Sequence, residues 1–90
     1  MVLLAHEVWH RSDGWEFCLP DVRRDAARSD DPEARREHVI FAASWVEAMT
    51  LYHAWQGWEP YVLMEGADRV YTEADLAAQR RLRPDFPPPS

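Results

Sequence analysis

The dipeptide Asp13-Gly14 constrains this chain most, because it lies between two segments rich in apolar and aromatic side chains. Asp-Gly is a strong signal for a two-residue hairpin turn, in which backbone angles that favour glycine are needed. After the turn, apolar and polar residues alternate, as they do along a half-buried strand. We therefore predict an antiparallel hairpin of residues 2–10 and 15–19, ended by Pro20, which has no N–H to donate to a sheet.

A single amphipathic helix is predicted over residues 45–56. Ser44 and Glu47 have the spacing of a capping box, in which each side chain accepts a hydrogen bond from an exposed backbone N–H of the first turn. Gly57 suits the left-handed conformation that follows many helices. Apolar side chains recur at spacings of three and four residues, so they are expected to line the face that packs on the sheet: Trp45, Ala48, Met49, Tyr52 and Trp55.

The remaining elements complete a small α+β fold. Residues 38–43 predict a third strand, residues 62–64 a brief fourth, and Thr72 begins a second, C-terminal helix. The expected architecture is an antiparallel sheet of three to four short strands, with the main helix on one face. Residues 1–83 are expected to form one domain, and residues 84–90 a disordered or polyproline tail.

Residues 21–37 differ from the rest in composition. They contain six acidic and five arginine side chains, and Val22 is the large apolar residue among them. Such a segment has no apolar stripe to bury, so we expect an exposed connection that is partly helical.

Composition limits the classes of function. The net charge of −6 argues against direct nucleic-acid binding, which needs clustered basic side chains to neutralise phosphates. A single cysteine, Cys18, excludes an internal disulfide and favours a reducing compartment. The chain shows neither a leader peptide nor a long apolar run, so the expected location is the cytoplasm, without membrane contact.

His6-Glu7-Val8-Trp9-His10 has the H-E-x-x-H pattern of zinc metalloproteases. On a helix both histidines reach one zinc ion, and the glutamate serves as a base. Here the segment is predicted to be a strand, on which His6 and His10 lie about 13 Å apart, too far to share one ion. The sequence therefore predicts no metal site, no cofactor and no catalytic residues, although a small zinc-dependent hydrolase remains an alternative.

The most unusual feature is the aromatic density of residues 55–61. The candidate protein-binding residues are Trp58, Glu59 and Tyr61, with Trp55 expected in the core. Rigid aromatic side chains are favoured at interfaces, but in a small domain they can also form the lid of the core. Acidic residues nearby favour a basic protein partner.

These features predict a non-enzymatic binding or regulatory protein that acts through an aromatic and acidic surface. A homodimer formed through an uncovered sheet face or edge is a variant of this hypothesis. A further alternative is an acidic mimic of nucleic acid, although the arginines of residues 21–37 count against it.

Overall fold

The computed structural model describes residues 2–62 and 69–84. Three strands and three helices are present in this part of the chain, which forms a small, compact α+β fold. They are, in chain order, β1 (Leu4–Arg11), β2 (Gly14–Cys18), α1 (Val22–Ser29), β3 (Arg35–Ala42), α2 (Trp45–Gln56) and α3 (Glu73–Leu82).

The predicted hairpin is confirmed. β1 and β2 pair antiparallel, with Arg11 opposite Gly14 and Glu7 opposite Cys18. The turn itself is Ser12-Asp13, and Gly14 follows it as the first residue of β2. Gly14 has a φ of 130°, which a residue with a side chain rarely adopts, so glycine is favoured directly after the turn. The hairpin places β1 in the centre of the sheet, whose strand order is β2-β1-β3.

The third strand is longer than expected, because β3 begins at Arg35 rather than at His38. Val8 pairs with His38, and Trp9 then pairs with Arg36, so the register shifts by one residue between them. This bulge leaves Glu37 as the extra residue of β3. The charged beginning of β3 pairs with the end of β1, and its exposed side chains suit an edge strand.

Helix α2 has the predicted bounds. Ser44 Oγ accepts a hydrogen bond from the N–H of Glu47, and Gly57 ends the helix with a φ of 77°. The capping box differs in one respect, because the Glu47 carboxylate accepts from the N–H of Ala43, at 2.8 Å, one residue before the expected donor. Both groups still fix the direction in which the chain enters the helix.

Most of residues 21–37 are exposed and part of the segment is helical, as predicted, but one side chain departs from this description. Asp21 accepts hydrogen bonds from the first N–H groups of α1, and this helix lays Arg28 against the sheet. Arg28 is only 4% exposed, whereas Val22 is 62% exposed. The segment therefore docks through a charged side chain, which an apolar periodicity cannot reveal.

The two faces of the sheet carry different helices. Neighbouring residues of a strand point to opposite faces, so His6 and Val8 face α2 while Glu7 faces α1. On the α2 face, the buried residues Val8, Ile40 and Tyr52 form the core cluster, and the Phe17 ring lies parallel to that of Tyr52 with centroids 4.3 Å apart.

Helix α3 is attached to the sheet through a side-chain amide. Gln79 accepts a hydrogen bond from the N–H of Ala5 and donates one to its carbonyl, both at 2.9 Å. β2 pairs with β1 only from Glu7 onward, so Gln79 continues the hydrogen bonding of β1 beyond the end of β2. Thr72 and Asp75 form a complete capping box at the start of this helix.

Two predicted segments lie partly or wholly outside the described residues. Val62 is exposed and belongs to no strand, whereas residues 63 and 64 of the predicted fourth strand and the tail residues 85–90 are not among those described. Val70 forms an isolated antiparallel bridge with Ser44. Within residues 2–62 and 69–84, none of the helices has the length and apolar character needed to span a membrane.

Candidate functional site

The structure separates the three residues of the H-E-x-x-H pattern. His6 is fully buried on the α2 face, where its Nδ1 lies 3.1 Å from the carbonyl oxygens of both Leu4 and Ile40. Its Nε2 lies 2.8 Å from the hydroxyl of Tyr71. Two carbonyl acceptors require the proton on Nδ1, so Nε2 accepts from Tyr71. Burial lowers the pKa of His6 and favours this neutral imidazole.

Glu7 lies on the opposite face, in a buried network of charges. Its carboxylate is fully buried and lies within 3.5 Å of three guanidinium groups, those of Arg28, Arg36 and Arg83. Arg28 also pairs with Glu16 and Asp25, and its guanidinium stacks over the Trp9 ring, 4.3 Å from the centroid. The three guanidinium groups surround the buried carboxylate, so Glu7 belongs to a structural ion-pair network on the face of the sheet away from His6.

His10 completes the pattern but lies near the other end of β1, where its ring contacts that of Trp15. In the described part of the chain, no group of three or more histidine, cysteine or acidic side chains is placed to hold a metal ion. The geometry of the three pattern residues is thus that of a strand, with no common point for a ligand.

Aromatic side chains collect instead where α2 meets the hairpin. We call His10, Trp15, His38 and Trp55 the hairpin cluster. The Trp15 and Trp55 rings meet nearly at right angles, at 82°, with centroids 5.6 Å apart. The His38 ring lies parallel to Trp55 within 8°, at 5.2 Å. Each of the three strands therefore contributes a ring to this cluster.

A second group of rings surrounds the C-terminal end of α2. We call Tyr52, His53, Trp58 and Tyr61 the cap cluster. The chain turns back after Gly57, because the N–H of Trp58 donates to the carbonyl of His53. This turn brings the rings of Trp58 and Tyr61 each within 5.4 Å of the His53 ring, and His53 Nδ1 lies 2.9 Å from the Glu59 carbonyl oxygen.

The tryptophans of both clusters are half exposed. Trp15 is 44% exposed, Trp55 40% and Trp58 49%, and Leu51, one turn before Trp55, is 43% exposed. The expectation that Trp55 belongs to the core is therefore wrong, and Trp45 is also 39% exposed. At 3.6 residues per turn, Trp45 and Trp55 flank the line through the buried Ala48 and Tyr52 on opposite sides.

The three candidate binding residues lie together at the cap cluster. Trp58 and Glu59 are exposed, and Tyr61 is partly exposed. Sequence reasoning did not find Trp15, His38 or Trp55 as members of a surface, since they lie on three elements far apart in the chain. The Asp-Gly turn directly before Trp15 was the available signal for this surface. Side chains beside a hairpin turn lie at the end of the sheet, where rings from neighbouring strands can meet.

The acidic residues predicted near the aromatics are used in different ways. Asp75 pairs with Arg69 through two contacts, at 3.0 and 3.3 Å, and the guanidinium lowers the pKa of this carboxyl. Glu47, Glu59 and Glu73 are all exposed, and the Glu47 carboxylate accepts the capping hydrogen bond from Ala43. Of these side chains, Glu59 is the one that adjoins the cap cluster.

A small cleft lies elsewhere, between α3 and the end of β2. Its volume is about 200 Å³, and Leu4, Leu19, Tyr71 and Leu82 contribute apolar walls, with Arg69 at its edge. Arg69 is already paired with Asp75. The cleft is small for an organic ligand, since such sites usually enclose about 300–1,000 Å³.

The sequence matches no protein-family model, and no match to it exists among curated proteins or solved structures. The function is therefore inferred from the chemistry of the surface itself.

Proposed function

We propose that this protein is a non-enzymatic protein-binding module whose recognition surface comprises the hairpin cluster and the cap cluster. The observation that supports this proposal is the exposure of Trp15, Trp55 and Trp58, each between 40% and 49%. A tryptophan left half exposed and fixed by ring contacts presents a large apolar area whose conformational entropy is already low.

The positions of these side chains agree with the anatomy of interfaces. Tryptophan and tyrosine are enriched among residues that dominate binding energy, and charged residues are found at the rim. Here Glu59 adjoins Trp58, and Arg35 and Glu37 form an exposed ion pair on β3, near His38 in the chain. An apolar centre with a charged margin is the arrangement that a protein partner would complement.

The test is quantitative affinity capture from the native host, with Trp15→Ala and Trp58→Ala compared with the wild-type chain. Val22→Ala is a matched control, because Val22 is 62% exposed on α1, which packs on the opposite face of the sheet. We expect the wild type and the control to recover the same partner, and both tryptophan variants to lose it while remaining folded by circular dichroism. Equal recovery by all four proteins would contradict the proposal.

A charge variant tests how the partner is recognised. Glu59→Gln should leave the partner identifiable but weaken its capture at low salt more than at high salt, since a rim carboxylate acts mainly through long-range attraction. An unchanged salt dependence would remove Glu59 from the recognition surface.

A further inference from the structure

The hairpin cluster has the shape of a binding site for proline. The Trp15 and Trp55 rings meet at 82°, and both remain at least 40% exposed, so the two indoles form a corner open to solvent. His38 is stacked on Trp55 and His10 contacts Trp15 from the neighbouring strand, so both walls of the corner are supported. Grooves lined by aromatic rings are the usual sites for proline-rich segments on small domains.

The chain itself contains such a segment. Residues 87–89 are three prolines in succession, preceded by Phe86. A proline run favours the polyproline II conformation, which needs little ordering on binding and exposes its rings on all sides. The sequence thus provides, beyond the described α3, a ligand of the chemistry that the aromatic corner suits.

We propose that the corner formed by Trp15 and Trp55 binds the proline run of a second copy of this chain. This inference rests on the proposed function and names the partner of the same surface. Two copies would each insert a tail into the other, which gives two equivalent contacts related by a twofold axis.

The position of α3 favours a second copy over the chain's own tail. Arg83 lies within 3.5 Å of Glu7 and Asp25, on the face of the sheet that carries α1. Trp55 packs on the opposite face, against residues near the far end of β1.

A tail from the same copy would have to pass around the sheet. Three residues separate Arg83 from Pro87, and the four Cα–Cα steps between these two span at most about 14 Å when fully extended. From Glu7, which Arg83 contacts, to the corner near His10, the path runs roughly 10 Å along β1. It must also pass from the α1 face of the sheet to the α2 face, and packed layers are about 10 Å apart. A tail from another molecule meets no such restriction.

Charge also suits this occupant. The residues just before the tail are the most basic of the chain, and Arg80 and Arg81 are exposed in the last turn of α3. On the recognition surface, Glu59 is exposed beside Trp58. The exposed arginines at the end of α3 in one copy and Glu59 on the recognition surface of the other thus carry opposite charges.

The experiment measures the oligomeric state of the full chain by sedimentation velocity over a wide range of concentration. The tail variant replaces Pro87, Pro88 and Pro89 with alanine, and the surface variant is Trp55→Ala. Val22→Ala is the control, because this side chain is 62% exposed on α1, on the opposite face of the sheet from the corner. We expect the wild type and the control to dimerise as concentration rises, and each of the other two variants to remain monomeric.

Mixing the tail variant with the surface variant gives the sharper result. One protein keeps an intact corner and the other an intact tail, so the mixture should form a heterodimer with a single tail contact. In the same way, a synthetic peptide of residues 83–90 should quench or shift the tryptophan fluorescence of the tail variant. Trp15→Ala in that background should weaken peptide binding by about thirtyfold, as loss of a hot spot does.

Three outcomes would overturn the inference. They are a wild type that stays monomeric at every concentration, a tail variant that dimerises as well as the wild type, and a peptide that binds Trp15→Ala unchanged. Circular dichroism of each variant separates unfolding from loss of contact. If the inference fails while Trp15→Ala and Trp58→Ala still lose a captured partner, the proposed function stands with a different ligand. If those variants lose nothing, both fail.

Discussion

Glu7→Gln is the substitution that best tests the charge network beneath the sheet. The change keeps the size of the side chain but removes the charge that faces Arg28, Arg36 and Arg83 within 3.5 Å. Breaking a buried ion pair by removing one partner costs about 3–5 kcal/mol, because the other charge remains buried. Arg28 keeps Glu16 and Asp25, so we expect the lower end of this range, about 3 kcal/mol.

This loss should be visible as a large shift in thermal unfolding. For a domain of 60–100 residues, 1 kcal/mol shifts Tm by about 4–8 °C, so 3 kcal/mol corresponds to a decrease of roughly 12–24 °C. Tryptophan fluorescence and far-ultraviolet circular dichroism would follow the transition. The control is Glu37→Gln, whose carboxylate pairs at 3.1 Å with Arg35, a side chain 74% exposed, and which should change stability by less than about 1 kcal/mol.

A double substitution separates charge compensation from packing. In the described part of the chain, Arg28 Nε is buried without a hydrogen-bond partner, so the network is incompletely satisfied. Glu7→Leu combined with Arg28→Met removes both charges and should cost less than Glu7→Gln alone. A Tm for Glu7→Gln within a few degrees of the Glu37→Gln control would refute the reasoning.

Three further predictions concern buried polar groups. Because burial holds the pKa of His6 below its ordinary value of 6.5, the unfolded chain takes up the proton first. The free energy of unfolding should therefore fall as the pH drops below 6.5 towards the folded pKa, by at most about 1.4 kcal/mol per pH unit. Denaturation measured over this pH range should show a smaller decrease for His6→Gln than for the wild type. Cys18 is 6% exposed and burial raises the pKa of its thiol, so a disulfide reagent at neutral pH should label it much more slowly in the native than in the unfolded protein; equal rates would show that the thiol is accessible. Gln79→Ala removes two hydrogen bonds to Ala5 and should cost about 1–3 kcal/mol in urea denaturation, with faster hydrogen exchange at the Ala5 amide.

Because the tryptophans are half exposed, their truncation to alanine should lower the free energy of unfolding less than truncation of a buried aromatic residue would. Trp45 and Trp55 were expected to line the face of α2 that packs on the sheet, and truncation of a buried aromatic residue costs roughly 3–5 kcal/mol. Trp55 is 40% exposed and makes ring contacts with Trp15 and His38. Such pairs contribute about 0.5–1.5 kcal/mol each in addition to the buried area. Because this area is smaller than for a core tryptophan, Trp55→Ala should lower the free energy of unfolding by less than the roughly 3–5 kcal/mol of a buried aromatic residue. Trp55→Ala therefore suits binding experiments in which the variant must stay folded.

The sequence by itself determined the elements whose signals are local. The hairpin follows from Asp13-Gly14 and from the alternation beside it, and α2 follows from Ser44, Gly57 and the spacing between them. Turn and cap preferences depend on hydrogen bonds within a few residues, so they can be recognised without knowledge of the rest of the chain.

Only the tertiary structure decided how the charged residues are used. The residues that surround Glu7 come from α1, β3 and the end of α3, and Arg28 lies 21 positions away in the chain. A run of charge such as residues 21–37 looks solvated because pairing between distant elements leaves no periodic pattern. β3 begins three residues before its predicted start for a related reason. Its charged first residues pair with β1 beyond a bulge, and this pairing depends on a distant part of the chain.

The recognition surface likewise depends on tertiary packing. The spacing of the apolar side chains identified the face of α2 that packs on the sheet. It did not show which of these side chains lie at the centre of that face and which lie at its margins. With one helix on this face of a three-stranded sheet, Ala48 and Tyr52 are covered, whereas Trp45 and Trp55 lie on the flanks and reach solvent. The helix covers the centre of this sheet face but not its own flanks, so the indole rings on the flanks remain partly exposed.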